Sequence, residues 1–237
     1  MFKKVMKQRQ RDIKVMPWEA LVCAAIGVIL QLFILKLDPE RGLFEAMTLM
    51  VMMGFVLVTL IFGSSQFPQQ YNVAVAMGAV RKKYMAAYFA VSLLLHVEMY
   101  GLIVCVWLIE TGIHRLMPAD IIKIDIAWSV LFSPYFIAGI VLLVIVEMLV
   151  GTTIMRFGKK AGIFWWALWM TACIVPTHIE DYAQSHPSAV PVKAGTQLIQ
   201  ALTGMGTAGI WLCMIVFALL AAVAIWRIGC RQQVTQF

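Results

Sequence analysis

The chain has 237 residues, of which 62% are hydrophobic and 13% charged, with a mean hydropathy of +0.87; a soluble domain carries about 25% charged residues. This composition excludes a protein whose main solvent is water. The net charge of +7 does not point to nucleic acid, because the bases flank apolar runs, where anionic lipid headgroups attract them.

A helix needs about 20 apolar residues to cross a bilayer. Six stretches are candidates: Pro17–Leu35, Leu43–Phe62, Met85–Ile109, Ile126–Val150, Ala161–Val175 and Ala208–Trp226. No linker, low-complexity tract or internal repeat separates them, so residues 1–237 read as one all-α integral membrane domain. Lys3, Lys4, Lys7, Arg9, Arg11, Lys14, Arg81–Lys83, Arg156, Lys159, Lys160, Arg227 and Arg231 fall on one side of this layout. The other side holds Lys36, Arg41, Arg115, Lys123 and Lys193. The positive-inside rule then places both termini in the cytosol.

Residues 1–16 have no cleavable signal pattern. Phe2, Met6, Ile13 and Met16 share roughly one helical face among bases, so an amphipathic helix in the headgroup plane is expected, with a frayed basic tail as the alternative. In the second span Met47, Met50, Met52 and Met53 crowd together, and flexible thioethers suit a surface that repacks.

The connection over 64–84 carries the most information. Pro68 suits the first turn of a helix, Val73, Met77, Val80 and Tyr84 form one apolar stripe, and Arg81, Lys82 and Lys83 close the segment where cations favour a helix C-terminus. A short amphipathic cytosolic helix is expected. Gln69, Gln70, Asn72, Ala74, Ala76 and Gly78 are small or neutral, which favours close approach by another protein over lying on lipid.

The segment Tyr71-Asn-Val-Ala-Val-Ala-Met-Gly-Ala-Val-Arg-Lys-Lys-Tyr84 resembles the first cytosolic loop of bacterial ATP-binding-cassette exporter permeases. There a small and apolar run, Met-Gly or Leu-Gly, and Arg-Lys form the coupling helix that docks on the ATPase subunit. The six-span layout, with an N-terminal interfacial helix and a longer last external loop, is similar too. The resemblance implies that Gln69, Tyr71, Asn72, Val75, Met77, Gly78, Arg81 and Lys82 engage a cytosolic ATP-binding subunit, present in two copies. It also implies a second permease subunit, the same or different, and a place in the bacterial cytoplasmic membrane. The implied activity is export of a peptide, drug or lipid-like substrate, with ATP and Mg on the partner and no cofactor or enzymatic chemistry on this chain.

In the third span His96 and Glu98 lie near membrane depth, where a charge costs about 2.5–3.5 kcal/mol. Two residues apart they point about 200° from each other on a helix, so one cavity cannot receive both. They either line a substrate or proton path or hold helices together; we expect Glu98 to be paired structurally and Glu147, in the fourth span, to snorkel. Gly151-Thr-Thr-Ile-Met-Arg-Phe-Gly-Lys-Lys160 is not a phosphate-binding loop, having two residues too many and no Ser or Thr after the lysine. Trp165, Trp166 and Trp169 form an aromatic belt or, less simply, a stacking surface for an amphipathic substrate. Met50, Met53, His96, Glu98, Trp166 and Trp169 are therefore the substrate-path candidates.

Residues 177–207 form the largest extramembrane piece. Its second half is apolar enough for a re-entrant helix. Gly204-Met-Gly-Thr-Ala-Gly209 matches GxGxxG but lacks a preceding strand and any acid after Asp181, so it reads as small-residue helix packing rather than a dinucleotide fingerprint. The five cysteines form no CxxC, and no metal site is expected. A membrane-embedded peptide sensor or immunity protein, binding at Thr177–Leu202 without transport, is the rival reading; an intramembrane enzyme lacks a paired-carboxylate or nucleophile motif.

Overall fold

The structure, a computed structural model, describes residues 1–37, 42–117, 123–124, 126–171, 204 and 206–231. It is an all-α, multi-pass membrane protein, with a pair of two-residue strands beside the helices. Among the described residues, five helical segments are long and apolar enough to cross a bilayer: Asp12–Leu37, Ala46–Ala76, Arg81–Leu116, Pro134–Phe157 and Gly206–Arg231. The expected span over Ala161–Val175 is helical over residues 159–171, and its remainder lies outside the described residues. So does most of the segment 177–207, on which the re-entrant helix is expected.

Helix α1 (Phe2–Gln8) breaks at Arg9, and α2 (Gln10–Leu37) follows at once, running through Pro17. The expected interfacial helix over 1–16 is thus two pieces. Val5 is fully buried, packed with Tyr84 and Tyr88, so α1 leans on protein as well as on any headgroup layer.

After a two-residue strand β1 (Leu43–Phe44), the second span begins as α3 (Ala46–Val58), passes through a π-helical turn (Thr59–Gly63), and continues as α4 (Ser64–Ala76). Pro68 therefore sits inside a helix and not at its start. It cannot donate to the Ser64 carbonyl, and the widened turn lies immediately upstream, at a place where helices commonly bend. The whole rod is about 45 Å long at 1.5 Å per residue, against a hydrocarbon core of about 30 Å.

The rod ends in a Schellman cap. Gly78 N–H donates to the Val75 carbonyl and Ala79 N–H to the Ala74 carbonyl, with Gly78 at φ 83°. Only glycine takes that conformation without strain. Helix α5 (Arg81–Leu116) then returns antiparallel, so the expected separate coupling helix over 64–84 is the outer end of a helical hairpin.

The fourth crossing starts later than its hydropathy suggests. Ile126–Leu131 is a separate short helix, α6, following strand β2 (Lys123–Ile124), which pairs in parallel with β1. Helix α7 (Pro134–Phe157) begins at Pro134, with Ser133 extended and its Oγ accepting from Tyr135 N–H at 3.2 Å. Proline at the first helical position and the extended residue it imposes upstream account for the break. Helix α8 (159–171) and α9 (Gly206–Arg231) complete the bundle.

Small residues set the closest approaches, as membrane helices require. A Cβ at Gly27 would stand 2.6 Å from the Met47 Cα, and one at Gly54 2.5 Å from the Cys23 Sγ, so α2 and α3 are nearly in backbone contact. At the end of the bundle away from the basic cluster, two buried carboxylates join segments. Glu110 on α5 accepts from Met47 N–H and Thr48 N–H, both at 2.8 Å, and from Thr48 Oγ at 2.7 Å. A carboxylate there satisfies orphan donors and the positive end of the α3 dipole. Glu45 accepts from Trp107 Nε1 at 2.7 Å and from Ala127 N–H at 2.5 Å.

Candidate functional site

Two features stand apart from ordinary packing. The first is a cavity of about 400 Å³ between α2, the π-helical turn and α5, mostly apolar in its wall but holding several charged side chains. Its polar lining is Arg9, Asp12, Glu19, Thr59, Gln66, His96 and Glu147; Phe55, Val58, Leu95 and Met99 supply apolar walls.

The break between α1 and α2 turns Arg9 into the bundle. Its Nη1 donates to Ser92 Oγ at 2.5 Å and to Glu147 Oε1 at 3.3 Å, and its Nε donates to Asp12 at 3.0 Å. Burial opposes the guanidinium charge, but the Tyr88 phenol and the Glu147 and Asp12 carboxylates more than offset that and hold its pKa above the usual arginine value. Tyr88, Ser92 and His96 follow one another at four-residue steps, so α5 presents all three on one face. Tyr88 donates to the same Glu147 Oε1 at 3.0 Å.

Glu147 is fully buried and does not snorkel. It lies against Gly63, where the π-helical turn and the missing side chain leave room for the carboxyl. An acid at this depth is tolerated because it faces an arginine and a phenol instead of lipid. Its Oε2 and the His96 Nε2 are both buried without a hydrogen-bond partner and stand 4.0 Å apart.

The spacing argument for His96 and Glu98 agrees with their places: His96 is 3% exposed and lines the cavity, while Glu98 is exposed on the opposite face of α5. Among the described residues no protein group pairs with Glu98; it faces outward on the exposed side of α5. Met50 is half-buried, Met53 exposed, Trp166 exposed and Trp169 half-buried, and none of the four lines the cavity. Of the six substrate-path candidates only His96 is brought to it.

The second feature is the tip of the α4–α5 hairpin. Met77 is 81% exposed and Val73, Val80, Lys82 and Lys83 are also exposed. A groove of about 540 Å³ runs from this tip to α1, lined by Lys4, Lys7, Ala74, Met77, Gly78 and Tyr84. Gln69 is exposed, and Val75 and Arg81 are half-buried. Tyr71 and Asn72 are buried, turned into the bundle, because four-residue spacing puts Phe67 and Tyr71 on the face toward α7 and α9. Tyr71 Oη donates to the Gly229 carbonyl at 2.5 Å and Arg81 to the Cys230 carbonyl at 3.3 Å, so both fasten the hairpin to the last turns of α9. Phe67, Tyr71, Tyr84 and Tyr88 pack ring on ring beneath it, with centroids 4.8–6.2 Å apart.

Sequence reasoning missed Arg9, Asp12, Glu19, Tyr88 and Ser92. Arg9 was one base among six; the lone Asp12 inside that basic run was the available signal. No protein family, curated protein or solved structure matches this chain.

Proposed function

We propose that the chain is the membrane-spanning subunit of an ATP-binding-cassette exporter in a bacterial cytoplasmic membrane, moving an amphipathic peptide, drug or lipid-like substrate. The observation that carries this reading is the hairpin tip: an apolar cap of Met77 and Val80, ringed by lysines, on two helices continuous with the spans that line the cavity. A tip of this kind suits docking to a partner with an apolar notch and an acidic rim. The aromatic stack beneath it resists bending, so a displacement at Met77 travels along α4 and α5 to the π-helical turn and His96.

In this mechanism two cytosolic ATPase subunits bind ATP and Mg, approach each other, and push the tips of two permease subunits. The rigid hairpins shift the population between cavity arrangements open to opposite sides. The chain supplies binding and motion, and hydrolysis occurs on the partner. Both termini are then cytosolic.

Met77→Asp tests the reading cleanly, because the side chain is exposed and contributes little to folding. In the purified complex we expect intact insertion and loss of substrate-stimulated ATP hydrolysis. Unchanged coupling, or a chain that never co-purifies with an ATPase from its native host, would overturn the proposal.

A further inference from the structure

The two unpartnered atoms in the cavity define what it can hold. His96 Nδ1 lies 2.8 Å from the Ser92 carbonyl. A carbonyl only accepts, so Nδ1 carries the ring proton and the neutral imidazole offers Nε2 as an acceptor. Glu147 Oε1 already receives Tyr88 and Arg9, which leaves Oε2 as a second free acceptor. Two acceptors 4.0 Å apart cannot bond to each other. A single nitrogen about 2.9 Å from both would see them about 87° apart, so two tetrahedral N–H groups reach both with each hydrogen bond bent by about 11°.

The charge of the lining asks for a cation. Among the described residues, Asp12, Glu19 and Glu147 stand against Arg9 as the one guanidinium of the cavity, and Glu19 has no partner among them. Beside the acids, Phe55, Val58, Leu95 and Met99 offer an apolar channel wall. A metal ion fits less well: among the described residues no three His, Cys, Asp or Glu side chains converge as ligands would.

We infer that this cavity is a binding site for a primary-amine amphiphile, whose ammonium bridges His96 Nε2 and Glu147 Oε2 while its alkyl or aromatic part lies along Phe55, Val58 and Met99. The inference deepens the export reading by naming a substrate class and rests on that reading only for the fate of the bound molecule. Glu19 draws the ammonium in from the α2 side, and Arg9, held by Asp12, Ser92 and Glu147, keeps the carboxylate oriented. Among cationic amphiphiles the site selects by N–H donation, because both its free partners are acceptors.

The test uses the full chain in neutral maltoside micelles and isothermal titration calorimetry with octylammonium, octyltrimethylammonium and octanol. Saturable one-to-one binding of octylammonium is expected, with the trimethyl analogue and the alcohol at least about tenfold weaker, since a hydrogen bond to a charged group is lost. His96→Leu and Glu147→Gln are each expected to weaken octylammonium about tenfold, and Glu19→Gln about threefold by removing one nearby charge. Equal affinity for the trimethyl analogue overturns the bridging geometry. Unchanged affinity in folded His96→Leu overturns it as well, and if Glu147→Gln fails to fold, the His96 and Glu19 variants decide. Binding that survives without stimulating ATP hydrolysis in the complex supports the site and counts against export.

Discussion

Gly63 faces Glu147 so closely that a Cβ on it would stand 2.8 Å from the carboxylate Oε1 and 2.9 Å from its carbon. The π-helical turn brings the two helical segments this near, and the buried acid depends on the missing side chain. Gly63→Ala is therefore expected to destabilise the protein by about 1–3 kcal/mol through overpacking. The check is a thermal or denaturant unfolding cycle with Glu147→Ala. In that background the glycine substitution should cost much less.

Arg9 and Glu147 depend on each other more strongly. Removing the arginine leaves a carboxylate buried without its cation, which costs about 3–5 kcal/mol. Arg9→Met should accordingly lower stability sharply, and adding Glu147→Leu should recover most of the loss. A double substitution no more stable than Arg9→Met alone would show that the pair does not interact energetically.

Glu110 serves the start of α3 from another helix. Glu110→Ala strands the Met47 and Thr48 N–H groups and the Thr48 hydroxyl in a buried place, at about 1–3 kcal/mol for each unsatisfied group. Amide exchange at Met47 and Thr48 is expected to accelerate, while exchange within α9 stays unchanged.

Gly78 closes α4 with φ 83°. Gly78→Val should cost about 1–2 kcal/mol from backbone strain, although the position is open space and no Cβ clash arises. Gly78→Asn, which tolerates this conformation better, should cost less. Equal losses measured by unfolding would show that the turn rearranges.

Much of the fold was legible because hydropathy at this density leaves few alternatives. The runs starting near Pro17, Met85 and Ala208 correspond to spans of the structure, although their ends extend beyond the apolar cores. What hydropathy could not show were the exact breaks. Pro134 outweighed the apolar run from Ile126, and Pro68, a plausible helix start in sequence, was absorbed into a helix by a π-helical turn.

The site was less legible for a physical reason. A charge run records how many bases lie near the headgroups and not which one turns inward, so Arg9 looked like Lys7 or Lys14. Likewise Tyr71 and Asn72 belong to the segment that resembles a docking loop, yet the helix period carries them to the packed face, leaving Met77, Gly78 and Lys82 outward. His96 and Glu98 were separable from spacing alone, because helical geometry fixes their relative direction before any neighbour is known.

Glu45 and Glu110 together bolt α3, α5 and α6 at the end far from Lys82 and Lys83, whereas the opposite end contains a hollow. On the proposed export mechanism, a frame fixed at one end and hollow at the other would swing about the fixed end. With the α3–α4 rod about 45 Å long, a rotation of about 5° carries Met77 about 4 Å. The same swing would move the π-helical turn, nearer the fulcrum, by about half as much, and with it Gly63, which lies against Glu147.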